Sequence, residues 1–179
     1  LKDNPAYYTK AEKTRFLYLG NDARVNASAG YDRERMQPYV LLYDGYLNFI
    51  LAVETAIQSG GRDDLSRLGA VLPRNNYHFS AENLQDYLGR SAVASRIGFE
   101  SAMKAHFWTV AHELGHVCYD HVLGPGYDDQ PIDVSRNQER DADSFADSLM
   151  GSTIFKDSLF EAHLKSCVGW AVVEKVGGR

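Results

Sequence analysis

Phe107-Trp108-Thr109-Val110-Ala111-His112-Glu113-Leu114-Gly115-His116-Val117-Cys118 is the stretch on which the fold turns. Phe107, Val110, Leu114 and Val117 recur at helical spacing, and Trp108, Ala111 and Cys118 widen the same apolar seam, so a helix here belongs inside the protein. From Glu100 to Val122 no proline intervenes, Gly115 is the one internal break, and Gly124-Pro125-Gly126 forms a stop. The spacing therefore predicts a central helix over 100–122. His112 and His116 are at i and i+4, stacked on one helix face, where two imidazoles can share an ion about 2.0–2.1 Å from each ligating nitrogen. Glu113 is turned about 100° around the axis, beside such an ion, in the position of a general base for metal-held water. Gly115 leaves room for a neighbouring backbone or a substrate to come close. Chance placement of an H-E-x-x-H pentapeptide in a chain with this many histidines and glutamates is on the order of one in a hundred. The bland alternative is a hydrogen-bonded core histidine pair.

A catalytic zinc takes three protein ligands and keeps one position for water, so a third ligand must come from elsewhere. Downstream, Ser135 and Gln138 read as a capping box, Ala142, Phe145, Ala146 and Leu149 as an apolar face, and Gly151 as a stop. On that helix Glu139 and Asp143 are again at i and i+4. Glu139 is the candidate ligand, and Asp143 the candidate acceptor for the free N–H of a ligating imidazole. Asp133, Asp141 and Asp147 are competitors, because a helix dipole also favours acidic residues near the helix start. A last helix is expected over 155–176, with Phe160 and Leu164 inward.

Upstream the reading is thinner. The first 36 residues are polar, with a short helix expected over 11–19 and a loop at Asn26-Ala27-Ser28-Ala29-Gly30. The apolar run from Tyr39 to Ile57, opened by Pro38 and stopped by Gly60-Gly61, reads as a buried helix. Asp44, Asn48 and Glu54 would be costly in hydrocarbon, so membrane association is not expected. Strand candidates are Ala70-Val71-Leu72 and Tyr77-His78-Phe79, and Ser80 starts a helix over 81–88. The elements make a mainly α (α+β) fold: a central helix packed by helices, with a small β-sheet or hairpin.

A chain of 179 residues suits one domain, and 44% hydrophobic with 12% aromatic residues argues for a packed core over disorder. A net charge of -5 supplies no field for phosphate backbones, so nucleic acid is excluded as an expected partner. Cys118 and Cys167 are too few for a disulfide scaffold and read better as thiols than as a bridge. The start at Leu1 suggests that an N-terminal piece has been removed, and a periplasmic or secreted location is favoured over the cytoplasm.

His112-Glu113-Leu114-Gly115-His116, followed 23 residues after His116 by Glu139-Arg140-Asp141-Ala142-Asp143, resembles the gluzincin zinc metallopeptidases. Within them it is most similar to the CAAX prenyl endopeptidase and its bacterial heat-shock and periplasmic relatives, whose pattern is H-E-x-G-H and then E-x-x-A-D. The resemblance implies a zincin-like fold, one zinc ion held by His112, His116 and Glu139, Glu113 as base, Asp143 behind an imidazole, and a protein or peptide substrate. It extends to His121, since the family often has a histidine five residues past the second ligand. It covers 107–150, and upstream neither the family's substrate-binding edge strand nor its transmembrane helices is found. Gluzincins commonly stabilise the oxyanion with a downstream cationic or phenolic group, for which His163 is the candidate, with Tyr127 and Tyr77 as rivals. By position alone His121 continues the apolar seam as a core histidine, Asp120 is a solvated residue near a helix end, and His78 and His106 are surface or filler. The expected activity is peptide-bond hydrolysis. The alternatives are a zinc-binding regulatory or interaction module of the same fold without peptidase activity, and a metal-free helical interaction domain.

Overall fold

Asn4 starts the first helix: its side chain accepts from the Ala6 N–H at 3.1 Å, and Pro5 follows at the first helical position, where a missing N–H costs nothing. The computed structural model describes residues 4–58, 67–68, 78–88, 92–123 and 131–151. Helix α1 (Pro5–Lys13) ends at Thr14, which is extended, and strand β1 (Arg15–Leu19) begins at once. The helix expected over 11–19 is thus corrected: the cap at Asn4 draws it earlier, and the aromatic-aliphatic run Phe16-Leu17-Tyr18-Leu19 suits a pleated surface better.

Strands β2 (Ala27–Asp32) and β3 (Gln37–Tyr43) form an antiparallel hairpin in register from Ala27 opposite Leu42 to Asp32 opposite Gln37. The sheet order is β1-β3-β2, which leaves β2 at an edge among the described strands. In the connecting turn Asp32 Oδ1 accepts from the N–H groups of Glu34 and Arg35, both at 3.1 Å, and Met36 takes a positive φ of 51°. Two expectations fail here. The loop at 26–30 is strand, because its small residues are completed by the partner: the Tyr39 ring lies against Gly30, where a Cβ would collide with it. The helix expected over 39–57 divides into β3 and α2 (Asp44–Gln58), since Tyr39-Val40-Leu41-Leu42-Tyr43 pairs as a strand before Asp44 begins the first turn.

Helix α3 (Ala81–Leu88) has its expected bounds, with Ser80 Oγ accepting from the Asn83 N–H at 3.3 Å. Helix α4 (Ala92–Cys118) starts earlier than expected and stops four residues before Val122, followed by a 3-10 turn at His121–Leu123. Helix α5 (Ile132–Gly151) opens after Pro131, so Ser135 lies inside its first turn and is not the cap. The fold is mostly helical with a small three-stranded sheet. The segments expected as a strand over 70–72 and as a helix over 155–176 lie outside the described residues.

The contacts divide the chain into two compact units, and α4 contributes residues to both. Among the described residues the first takes in 4–18, 27–42, 108–123 and 131–151. Its core sets Ala27, Val40 and Leu42 of the hairpin with Leu114, Val117 and Cys118 of α4 and Phe145 of α5. Phe107 does not join the apolar seam and is exposed. Among the described residues the second takes in 19–26, 43–58, 67–68, 78–88 and 92–107, with a core of Phe49 and Val53 from α2, Phe79, and Ala102 and Ala105 from α4. In that unit His78 makes an isolated antiparallel bridge with Arg24, and His106 is a filler whose pKa burial lowers. Among the described residues no helix is long and apolar enough to cross a membrane.

Candidate metal centre

The last three turns of α4 and the middle of α5 meet along a regular ladder. Trp108, His112 and His116 are spaced i, i+4, i+8 on one helix, and Asp147, Asp143 and Glu139 are spaced likewise, in reverse order, on the other. Trp108 Nε1–H donates to Asp147 Oδ1 at 2.8 Å, His112 Nδ1 pairs with Asp143 Oδ1 at 2.8 Å, and His116 Nε2 stands 3.4 Å from Glu139 Oε1. The helices can approach this closely because residue 115 is glycine. A Cβ there would lie 2.9 Å from Ala142 Cα and 3.2 Å from both the Ala142 carbonyl oxygen and Phe145 Cβ.

His112, His116 and Glu139 are the group of described residues whose ligand atoms converge, all lying within 4.8 Å of one another. His112 Nε2 is 3.1 Å from His116 Nε2 and 3.3 Å from Glu139 Oε2. For tetrahedral coordination at about 2.1 Å, neighbouring ligand atoms stand about 3.4 Å apart. The 3.1 Å between the two imidazole nitrogens fits an edge of one small cation's shell, the two Glu139 contacts end on different oxygens of the same carboxylate, and two nitrogens with one carboxylate are a zinc-type donor set.

Two of the competing aspartates have other partners, and the third is exposed. Asp147 takes the Trp108 indole, and Asp141 Oδ2 lies 4.0 Å from His121 Nε2. Asp133 is exposed in the first turn of α5. Asp120 is exposed at the helix end, as expected, and there Lys10 Nζ donates to its Oδ2 at 2.6 Å and to the Cys118 carbonyl at 2.8 Å, clasping the end of α4. Cys118 is a buried free thiol whose pKa burial raises to about 11. His163, Tyr127 and Tyr77 lie outside the described residues.

Electrostatics separate the two imidazoles of the metal-free protein. Burial by itself depresses His112, but the hydrogen bonds its ring donates to Asp143 and Glu139, with the charge of Glu113, outweigh it and hold the ring up at about 10. Burial and the neighbouring His112 charge push His116 down to about 4. Glu113 is buried and its carboxyl is raised to about 7, chiefly by desolvation, while the Ala29 backbone N–H donates to it and opposes the rise. Ala29 is on the edge strand β2, so the carboxylate next to the candidate ligands is tied to a strand with an open side among the described residues. No such strand is legible in the sequence, because its residues are small and carry little strand signal. The Trp108–Asp147 rung and the contact between His116 Nδ1 and His121 Nδ1 are also not among the expectations from sequence, although the i+4 repeat on both helices signals the first.

Comparison of the chain with protein-family models, with curated proteins and with solved structures finds no match.

Proposed function

We propose that this protein is a zinc-dependent metallopeptidase in which His112, His116 and Glu139 hold one zinc ion and Glu113 is the general base. The observation that carries the reading is the convergence of one ligand atom from each of His112, His116 and Glu139 within 4.8 Å of one another, with a buried carboxyl one residue from the first of them. When bound, zinc supplies Lewis acidity towards a water molecule and towards the carbonyl of a scissile amide. Glu113 accepts the proton that this water gives up and passes it to the departing amine. In the metal-free protein desolvation raises this carboxyl to about 7, so it takes up a proton more readily than an ordinary carboxylate. Asp143 accepts from His112 Nδ1–H, which turns that ring's Nε2 lone pair towards the cluster. A peptide substrate is held by backbone pairing along an edge strand, and β2, whose Ala29 touches the base, is the strand suited to it.

The test is cleavage of unfolded proteins and of a broad peptide library by the zinc-loaded chain. Expected is hydrolysis that Glu113→Gln lowers by about 10²-fold or more while zinc stays bound. Stoichiometric zinc with no Glu113-dependent cleavage would replace the peptidase by a zinc-binding regulatory or interaction module. Absence of bound zinc would remove both.

A further inference from the structure

His121 has no place in the mechanism above, yet its Nδ1 lies 3.0 Å from His116 Nδ1. Had α4 continued, His121 would stand about 140° around the axis and about 7.5 Å along it from His116, out of reach. The chain instead leaves the helix at Cys118, and Asp120 adopts a left-handed conformation with φ 63°. Such a conformation costs an aspartate less than most residues. Lys10 holds both sides of that turn through the Cys118 carbonyl and the Asp120 carboxylate. The reversal brings the His121 ring back onto His116, with Tyr119 stacked on its other side at 5.7 Å and 18°.

Proton bookkeeping assigns each nitrogen a role. His116 Nε2 faces His112 Nε2 and Glu139, so as a ligand it must present a lone pair and carry its proton on Nδ1. That Nδ1–H points at His121 Nδ1, which must then be the acceptor. His121 is left with its own proton on Nε2, the nitrogen that faces Asp141 Oδ2 at 4.0 Å. We infer that His121 is a positioning residue whose Nδ1 accepts the Nδ1–H of His116 and holds that imidazole in the tautomer and orientation that present Nε2 to the metal cluster. It does for His116 what Asp143 does for His112, with a neutral ring in place of a carboxylate. Its consequence for metal binding rests on the zinc site proposed above, whereas the tautomer can be read without metal.

Two measurements test this on the full chain. In metal-free protein with ¹⁵N-labelled histidine, imidazole NMR should show His116 protonated on Nδ1 and His121 on Nε2. The reverse assignment on either ring overturns the inference. In chelator competition, His121→Phe, which keeps a ring and removes the acceptor, should bind zinc about 10- to 100-fold more weakly. His121→Asn, which restores an acceptor near the Nδ1 position, should recover most of that loss. Equal affinity of His121→Phe and wild type, or an Asn variant no better than the Phe variant, also overturns it. Unaltered thermal unfolding of the variants separates this loss from loss of fold, and the NMR result on the wild type stands even if a variant fails to fold. Wild-type protein that binds no zinc but has His116 protonated on Nδ1 would sink the metallopeptidase proposal and support this one.

Discussion

Replacing Gly115 by alanine adds one methyl group at the tightest point between α4 and α5. The new Cβ would start 2.9 Å from Ala142 Cα, 3.2 Å from the Ala142 carbonyl oxygen and 3.2 Å from Phe145 Cβ. Two of these are backbone atoms of a helix, which cannot swing aside as a side chain can. Carbon atoms rest comfortably at about 3.5–4.0 Å, so the helices must part by roughly 0.6–1 Å. Overpacking of this kind costs about 1–3 kcal/mol, while alanine in a helix interior returns about 1 kcal/mol relative to glycine, so a net loss of roughly 0–2 kcal/mol is expected. The metal cluster should suffer more. Glu139 and Asp143 flank Ala142, and contacts of 3.3 and 3.4 Å lengthened by most of an ångström no longer fit one cation. Denaturant unfolding of the metal-free protein and zinc competition should show slight destabilisation beside a loss in affinity of at least tenfold. A Gly115→Ala protein stabilised by the full 1 kcal/mol of helix propensity, with wild-type zinc affinity, would refute the close approach of the two helices.

Three further outcomes follow from the same geometry. Zinc at 100 times its dissociation constant should stabilise the protein by about 2.7 kcal/mol, and thermal unfolding with and without a chelator measures this; an unmoved midpoint would contradict a native-state site. Because His112 is raised to about 10 in the fold, its contribution is complete below the unfolded value near 6.5 and is lost as pH rises through 10. Raised Glu113 adds a similar loss only up to about 7, and depressed His116 acts in the opposite sense only between about 4 and 6.5, so His112 is the cluster group acting between pH 7 and 10. There metal-free stability should fall by at most about 1.4 kcal/mol per pH unit, and Asp143→Asn should flatten that slope; equal slopes in urea titrations would dismiss the Asp143 bond as its source. Trp108→Phe should cost about 1–2 kcal/mol through the lost bond to Asp147 while zinc affinity changes less than about threefold, as chemical denaturation and metal competition would show.

The parts of the protein legible from sequence are those set by local repeats. His112 and His116 share a face because one helix places them there, and Ala142, Phe145 and Ala146 are buried at the spacing that their pattern demands. Ser80 and its helix follow from a cap whose chemistry lies within three residues. The sheet was not legible, because Ala27-Ser28-Ala29-Gly30 becomes a strand only through bulk supplied by Tyr39, Val40 and Leu42 across the hairpin. Tyr39 to Ile57 shows the related difficulty: a continuous apolar run does not say where a strand yields to a helix. His121 was read as a continuation of the helical seam because nothing in the pattern reports the left-handed turn at Asp120.

The ladder between α4 and α5 also protects against misassembly. Two helices carrying residues at the same four-residue interval could in principle engage one turn out of step, with Asp143 opposite His116 and Asp147 opposite His112, and still offer carboxylates to imidazoles. In that slipped state the Trp108 indole would face Gly151, which has no side chain to receive it. A slip the other way would set His116 against Ser135 and strip the cluster of a carboxylate. The tryptophan at one end of the ladder and Ser135 beyond the other act as the wards of a lock, each turning away one of the two slips, so that a single alignment of two otherwise repetitive surfaces is admitted.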